Sequence, residues 1–456
     1  MSTRLLIVLL DGADGTLLER WSSDGTLPVL TTLRHRGQIR RLTAPVGITD
    51  DGLWASFQYG ASLGEHGRYF WHKQLSSGAM GMAYLEESQR LSFWNRLSDQ
   101  GQRVAVFDVP KCGHPRPING LHLVDWLVHG RYFRKPLSHP QSLATAVGSR
   151  FGAPPPSPCG EEPTLLSDPD LLSHITHLRQ SVAQKSTAAI HYLAGEEWDL
   201  FLVGFKEAHC AGHLLWDLAD SSHPRHEPGR SARLGHPVRT LLQALDSAIG
   251  SLIAAAGPGA VVAVITPTNM EPNGTLIHLM PTVVERLNLS LGETHLSLLL
   301  RRVSSRLRQR PSRPPLSLLP YDENAVALRF SSPQGNAQVS RPDTFQLERT
   351  EHLLRGLMDA ETGQQVVRVI ERPSRDLPGA RRAELPDLLV CGWPGQIPRA
   401  VLSPELGRIS AAQPLLRPGN HASGGLIMLQ GADLEGINGF EDMASLAQRI
   451  ADRMPS

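Results

Sequence analysis

The chain has 456 residues, 41% of them hydrophobic and 20% charged, a composition typical of a globular protein with room for one large or two smaller domains. Its formal net charge is +1, so electrostatics gives no reason to expect nucleic acid or an anionic membrane as a partner. No apolar stretch reaches the roughly 20 residues that span a bilayer, and the apolar run at 5–10 is too short for a signal peptide. We therefore expect a cytoplasmic protein that acts on a small molecule, with its oligomeric state left open.

Arginine and cysteine usage fit that setting. Basic charge comes almost entirely from arginine, a coding bias that indicates a GC-rich bacterium. The four cysteines form no CxxC pair and are predicted to be free thiols: Cys112, Cys159, Cys210 and Cys391.

Short apolar runs predict buried strands along the chain. The first, at 5–10, is apolar throughout and ends at Asp11, as expected for a central parallel strand covered on both faces. Similar runs follow at 103–109, 199–204 and 260–265, with a predicted helix at 238–256. Alternating strands and helices predict a doubly wound α/β sheet, in which ligands bind beyond the carboxyl ends of the strands.

Three histidines form the clearest candidate site. His209 and His213 are four residues apart beyond a predicted strand, so on a helix both imidazoles would face one divalent metal ion. His421 lies in a glycine-rich loop at 418–425. An HxxxH pair also occurs on helices that bind nothing, but its place at the end of a strand favours a metal site.

The loop 47–54 supplies a second candidate group, the hydroxyl of Thr49 and the carboxylates of Asp50 and Asp51. A hydroxyl at a helix N-terminus lies near backbone N–H groups that also favour a bound phosphate, so Thr49 is a candidate nucleophile. Threonine and aspartate are also preferred helix caps, and the spacing alone leaves both interpretations open.

Motifs spread over nearly the whole chain share one family pattern. They are, in order, LLIVLLDGADGTLLERW at 5–21, LPVLTTLRHRG at 27–37, WASFQYGASLGEHGRYFW at 54–71, VFDVPK at 106–111, the segment 209–216, HLMPTVVERL at 278–287 and PGNHASGGLIMLQG at 418–431. In content and order they resemble the type I phosphodiesterase/nucleotide pyrophosphatase family of the alkaline phosphatase superfamily. The resemblance implies an alkaline-phosphatase-like α/β fold: a doubly wound, mostly parallel sheet flanked by helices, with inserted smaller lobes.

The predicted domain organisation has three parts. Residues 1–300 are expected to form the main core, with an insert at about 130–190. Residues 301–385 are expected to form a smaller lobe or insertion, and 386–456 to return to the core with the last metal ligand. Proline-rich stretches at 153–163 and 304–315 are expected to be surface excursions.

The resemblance also implies two metal ions, commonly zinc, bridged by substrate phosphate. One would be bound at positions that match His209, His213 and His421, with His209 where an Asp is usual. Such a three-histidine zinc ion keeps an open position, as catalytic zinc does. It would lower the pKa of a bound water to about 7.

The second metal site of the family is incomplete in this chain. Asp11 matches its early ligand and Thr49 its nucleophile, but the family's Asp-His pair falls on Pro267 and Thr268. Proline offers no ligand atom and a neutral hydroxyl is a poor substitute for imidazole. We therefore predict one zinc ion per chain, with a second, weakly bound divalent cation as the alternative.

The nucleophile has two candidates. Counting back from Trp54, the family hydroxyl falls on Asp50, so Thr49 requires a one-residue insertion. Asp50 is then an alternative nucleophile. In a further alternative, Asp11, Asp50 and Asp51 hold a hard cation such as Mg²⁺.

The remaining predicted site residues have weaker signals. Glu207 precedes His209 by two residues and is predicted to be a general base or to orient a ligand, with a solvated charge as the alternative. The predicted substrate-binding residues are Asp51, Trp54, His223 and Asn269; for the tryptophan, packing beside the site is the alternative.

The leading functional hypothesis is a metal-dependent hydrolase or transferase that acts on a small phosphoester or phosphodiester. The retained histidines favour it. The loss of the Asp-His pair favours the alternative of a catalytically dead binding protein with the same fold. A non-hydrolytic enzyme of a bacterial biosynthetic pathway is the third hypothesis.

Overall fold

The structure is a computed structural model. It describes residues 3–75, 80–83, 90–128, 133, 135–153, 166–295, 314–331, 343–412, 414, 416–431 and 439–454.

The strands, in chain order, are β1 (Thr3–Leu10), β2 (Gln38–Leu42), β3 (His72–Gln74), β4 (Met80–Met82), β5 (Val104–Phe107), β6 (Gly120–Val124), β7 (Leu137–His139), β8 (Trp198–Phe205), β9 (Val261–Thr266), β10 (Asn269–Pro272), β11 (Leu316–Leu319), β12 (Ala325–Phe330), β13 (Met358–Asp359), β14 (Val367–Glu371), β15 (Leu388–Gly392), β16 (Ala400–Ser403), β17 (Gly407–Ser410), β18 (Gly419–Ala422) and β19 (Gly425–Gln430).

The helices are α1 (Gly15–Ser23), α2 (Pro28–Arg36), α3 (Asp50–Tyr59), α4 (Leu63–His66), α5 (Phe93–Asp99), α6 (Ser142–Phe151), α7 (Asp168–Gly195), α8 (Glu207–Ala219), α9 (Pro228–Arg233), α10 (Pro237–Ala256), α11 (Met280–Ser290), α12 (Thr344–Arg355), α13 (Pro373–Asp376) and α14 (Met443–Arg453). In the described segments, no helix combines the length and the apolar character needed to cross a membrane.

The chain divides into two compact units. Unit 1 contains Met1–Ser62, Met82–Pro272 and Leu416–Ser456, and unit 2 contains Leu63–Gly81 and Asn273–Leu415. Residues Leu416–Ser456 belong to unit 1 together with the first part of the chain. The predicted return of the C-terminal segment, from residue 386, is similar to this arrangement but begins 30 residues earlier. The predicted boundary between 300 and 301 lies outside the described residues, and the three-part division stays a prediction.

An eight-stranded sheet forms the centre of unit 1, in the order β2-β19-β9-β1-β8-β5-β6-β7. The five strands from β9 to β6 are parallel, whereas β2, β19 and β7 pair in antiparallel fashion. The predicted doubly wound, mostly parallel fold is confirmed. The strands predicted at 5–10, 103–109, 199–204 and 260–265 correspond to β1, β5, β8 and β9.

The central strands are stable in this position because their side chains are buried on both faces. Residues 5–10 of β1 are at most 3% exposed, and burying a large aliphatic side chain contributes about 1.5–3 kcal/mol. The amphipathic helix α10 covers the sheet through leucines such as Leu241 and Leu245, which are essentially unexposed. Parallel strands packed in this way end at one common edge, where the candidate residues lie.

Unit 2 contains its own hydrophobic core and a four-stranded antiparallel sheet, in the order β11-β12-β15-β14. The strands β13, β16 and β17 form a second, three-stranded sheet. Leucines and valines of α11, α12 and the four-stranded sheet pack together, among them Val283, Leu353 and Val390.

Two short strands of unit 1 position the late histidine. β10 pairs with β18 in antiparallel fashion, with Met270 opposite His421. Three of the cysteines predicted to be free thiols, Cys112, Cys210 and Cys391, are buried; Cys159 lies outside the described residues.

Candidate metal centre

Side chains from four segments of unit 1 converge at the carboxyl edge of its sheet. Asp11 follows β1, and its backbone N–H donates to the carbonyl of Phe205 at the end of β8, 2.8 Å away. The next residue, Gly12, has φ +64°, and a Cβ there would lie 2.5 Å from the Cα of His209. Only glycine tolerates both conditions, so this glycine allows β1 and α8 to approach closely.

The three predicted histidines form a compact triangle. Ring centroids are 4.5 Å apart for His209 and His213, 4.8 Å for His209 and His421, and 4.6 Å for His213 and His421. All three side chains are almost completely buried, and each offers a ring nitrogen within 4.8 Å of the others. The helix predicted for His209 and His213 is α8, which places the two rings one turn apart on one face.

His213 is held in an orientation that suits a metal ligand. Its Nδ1 lies 2.8 Å from the carbonyl oxygen of Gly419, so the hydrogen-bond network assigns the proton to Nδ1 and leaves the lone pair of Nε2 available. Burial lowers the pKa of His213 well below its ordinary value, and the nearby charges of Arg417 and His421 lower it further. The imidazole is therefore neutral at pH 7, as metal binding requires.

A second group adjoins the first through His209. The Nδ1 of His209 lies 3.5 Å from Oδ2 of Asp11 and 3.5 Å from Oδ2 of Asp50, and the three residues form a candidate metal-binding group of their own. Burial raises the pKa of Asp11 to about 6, opposed mainly by the positive charge of Lys111. The indole Nε1–H of Trp54 donates to Oδ1 of Asp11 at 2.6 Å.

Lys111 is the main site residue that sequence reasoning missed. Its Nζ lies 3.0 Å from Oδ2 of Asp50, and both side chains are at most 3% exposed. Lys111 has φ +60° and Asp108, at the start of the same turn, has φ +53°. This conformation is uncommon for residues other than glycine and is often found at functional sites. The available signal was the family-like segment 106–111, which ends at this lysine.

The predicted nucleophile candidates lie at the start of α3. Thr49 is the N-cap residue and is buried, yet its side chain makes no capping hydrogen bond. Side-chain capping by Thr49, left open by the sequence, is therefore wrong. Asp50 adjoins the histidines, with Oδ1 3.8 Å from Nδ1 of His421. The same Oδ1 accepts from the backbone N–H of Asp51 at 2.8 Å.

Residues 266–269, where the resemblance predicts the loss of the family's Asp-His pair, make other contacts. The hydroxyl of Thr266 donates to the carbonyl of Ala13 at 2.6 Å. Thr268 is completely buried, and its Oγ1 has no hydrogen-bond partner among the described residues. The side-chain oxygen of Asn269 accepts from the backbone N–H of Gly15 at 3.1 Å. Asn269 therefore ties β10 to α1, and its predicted contact with substrate stays a prediction.

Glu207 belongs to a separate group, here called the charge cluster: Asp108, Lys185, Lys206 and Glu207, all at most 3% exposed at the side chain. Oε1 of Glu207 accepts from the hydroxyl of Ser181 at 2.6 Å and lies 3.4 Å from Nζ of Lys185. The alternative of a solvated charge is wrong, since Glu207 is completely buried. These contacts favour a role in orienting the first turn of α8 over a role as general base.

Of the remaining predicted substrate contacts, His223 and Asp51 differ in their surroundings. His223 accepts from the backbone N–H of Arg225 at Nδ1, so Nε2 carries the proton that it donates to the carbonyl of Pro418, 3.1 Å away. Burial lowers the pKa of His223. Asp51 is buried in the first turn of α3 beside Asp50.

The donor set fits a zinc ion. Three imidazoles that leave one coordination position open are the ligand set of catalytic zinc. Buried carboxylates at 3.5 Å from one of these rings could orient it, as carboxylates commonly do for zinc-bound histidines. The group can therefore hold a cation that polarises a phosphoryl oxygen or activates water.

Comparison with known proteins places this site in a family. The model of the type I phosphodiesterase / nucleotide pyrophosphatase family matches residues 5–279; no curated protein sequence matches the chain. Phosphonoacetate hydrolase from Sinorhizobium meliloti 1021, solved with phosphonoacetate, is similar over 98% of this chain and 95% of that chain, with 13% identity and a TM-score of 0.52. Murine ectonucleotide pyrophosphatase / phosphodiesterase 5 is similar over 99% of this chain and 95% of that chain, with 10% identity and a TM-score of 0.52. At these identities the two structures show a common fold.

Proposed function

Because the chain belongs to the type I phosphodiesterase / nucleotide pyrophosphatase family, we propose that it cleaves a small phosphoester or phosphodiester at one zinc ion bound by His209, His213 and His421. The family match confirms the predicted family and enzyme class. The zinc ion, the single-metal site, the substrate class and the cytoplasmic location are the proposed part.

The observation that carries the proposal is the triangle of buried imidazoles, with centroids 4.5–4.8 Å apart. Placing three polar rings in the interior costs free energy unless they gain partners. A metal ion that all three can reach supplies that compensation. Three neutral ligands also leave the full double charge of Zn²⁺ to act on an anionic substrate.

The residues around the triangle suit phosphoryl chemistry. A bound zinc ion would supply an activated water or polarise a phosphoryl oxygen. Thr49 presents a hydroxyl that does not cap its helix, where the N-terminal backbone N–H groups of α3 favour a phosphate. Lys111 and Arg417, both buried, add positive charge that attracts the substrate. Thr49 and Asp50 are the candidate nucleophiles.

The test is metal content together with turnover of bis(4-nitrophenyl) phosphate. We expect one zinc ion per chain and zinc-dependent hydrolysis in the wild type. In His213→Ala, both should be lost, whereas the exposed His35→Ala should retain both. Full activity after removal of all metal by a chelator would contradict the proposal.

One observation favours a second candidate, a binding protein that has lost catalysis. Pro267 and Thr268 replace the family's Asp-His pair, and the buried hydroxyl of Thr268 has no partner among the described residues. A wild-type protein that binds a phosphoester without cleaving it, with or without zinc, would support this candidate.

A further inference from the structure

The carboxylate side of the site contains a buried positive charge of its own. The ammonium of Lys111 lies 3.0 Å from Oδ2 of Asp50, and its charge also acts on Asp11. All three residues are at most 5% exposed. Because two buried carboxylates repel each other and lose hydration, they require a nearby cation.

A second divalent cation at this place would have to compete with the ammonium of Lys111. Of the residues near Asp11 and Asp50, His209 completes the candidate group, but His209 also belongs to the histidine triangle. Pro267 and Thr268 offer no imidazole or carboxylate. A second ion would therefore have to share an imidazole with the first and approach the Lys111 ammonium.

We infer that the ammonium of Lys111 takes the electrostatic place of a second divalent cation beside Asp11 and Asp50, so that the site binds one metal ion only. The inference rests on the proposed function, because it assumes that the histidine triangle holds a metal. The charge on the lysine neutralises one carboxylate directly. Its N–H groups donate hydrogen bonds to carboxylate oxygens that would otherwise bind the metal ion.

The backbone holds the lysine in this position. Both Asp108 and Lys111 have positive φ, and Oδ1 of Asp108 accepts from the backbone N–H of Trp126 at 3.0 Å. The turn between these residues is thus fixed at one end by a buried carboxylate and at the other by the Lys111–Asp50 pair. A lysine that served only as a surface charge would not need such a turn.

The first experiment counts metal ions in Lys111 variants. Each protein is dialysed against the same excess of ZnCl₂, and bound zinc is measured by elemental analysis. We expect one ion in the wild type, two in Lys111→Met, and one in Lys111→Arg, which keeps the charge. The exposed Lys135→Met is the matched control and should also bind one. Two ions in the wild type, or one in a folded Lys111→Met, would overturn the inference.

A second measurement keeps Lys111 and therefore does not depend on whether a Lys111 variant folds. His213→Ala disables the histidine triangle but leaves Asp11, Asp50 and His209 intact. With Lys111 in place, this variant should bind no zinc. One retained ion would show that the carboxylates hold a metal beside the lysine, and the inference would fail.

The two proposals fail in different ways. A wild-type protein without zinc or hydrolysis contradicts the proposed function. A wild-type protein with zinc-dependent hydrolysis and two bound ions leaves the hydrolase in place and contradicts only the role of Lys111.

Discussion

Two buried polar groups lie near the start of α8, and they differ in how their charges are compensated. In the charge cluster, the two oxygens of Asp108 lie 2.8 Å from Nζ of Lys185 and 3.0 Å from Nζ of Lys206, and Glu207 lies 3.4 Å from Lys185. A third carboxylate, that of Asp125, lies 3.9 Å from Nζ of Lys206, so two ammonium groups face three carboxylates. Each of these carboxylates already has an ammonium partner within the protein.

The histidine triangle, whose first member His209 lies two residues after Glu207, has a different composition. It contains three rings that can each donate a lone pair to one point, and one of them is fixed by the carbonyl of Gly419. Burial alone therefore does not mark a functional site, since both groups are buried. The difference is that the carboxylates of the charge cluster already have ammonium partners, whereas the triangle offers three ring nitrogens that a metal ion could bind.

The largest effect is expected from breaking the charge cluster. Lys185→Met would leave Asp108 and Glu207 with one ammonium between them, and removing one partner of a buried ion pair typically costs about 3–5 kcal/mol. We expect a loss of this size in the free energy of unfolding measured with urea. Lys135→Met, at an exposed position, should change it by less than about 0.5 kcal/mol. An equal, small effect of both variants would show that the cluster is not a closed electrostatic unit.

The histidine triangle should respond to added metal. A ligand at 100 times its dissociation constant stabilises the folded state by about 2.7 kcal/mol, so ZnCl₂ at that excess should raise the free energy of unfolding of the wild type by this amount. His213→Ala should show no such gain. Stabilisation of both proteins to the same extent would place the bound zinc elsewhere.

Trp54 joins the carboxylate side of the site to its surroundings. Trp54→Phe would remove the 2.6 Å hydrogen bond to Asp11 while keeping most of the aromatic packing. Because such outer partners typically contribute about 10–100-fold to metal affinity, we expect zinc binding measured by calorimetry to weaken within this range. The stoichiometry should stay the same, and unchanged affinity would mean that Asp11 does not help to orient His209.

A pH-dependent effect, absent at neutral pH, concerns a buried histidine that belongs to neither group. Burial lowers the pKa of His122 from 6.5 to about 3, and its ring packs edge-on against Trp94. As the pH falls, the unfolded chain binds a proton at this histidine before the folded chain does. The contribution of neutral His122 to the free energy of unfolding is therefore complete above pH 6.5 and is lost towards pH 3, by at most about 1.4 kcal/mol per pH unit. In urea titrations at several pH values, His122→Leu should reduce the loss of unfolding free energy below pH 6.5, whereas the exposed His35→Leu should leave that loss unchanged.

The sequence predicted a large part of the fold and of the candidate metal centre. The apolar runs predicted β1, β8 and β9, because central parallel strands must be apolar on both faces. The spacing of His209 and His213 predicted two rings on one helical face. These features depend on local periodicity, which a single sequence shows directly.

The contacts between distant segments could not be read from the sequence. The approach of Lys111 to Asp50 depends on a turn with positive φ that propensity does not indicate, and the charge cluster joins residues from three separate elements. The hydroxyl of Thr49 looked like a helix cap in sequence, yet its side chain makes no capping bond.

The sequence by itself therefore predicted the strands β1, β5, β8 and β9, the helix of the HxxxH pair and, through the family resemblance, the loss of the Asp-His pair. Only the tertiary structure decided which charges compensate which, since Lys111 and Glu207 are both single charged residues near predicted site segments. Lys111 pairs with Asp50 in the candidate site, whereas Glu207 pairs with Lys185. The physical reason is that a buried charge takes its role from the nearest partner in space, and that partner is set by how the strand ends are brought together.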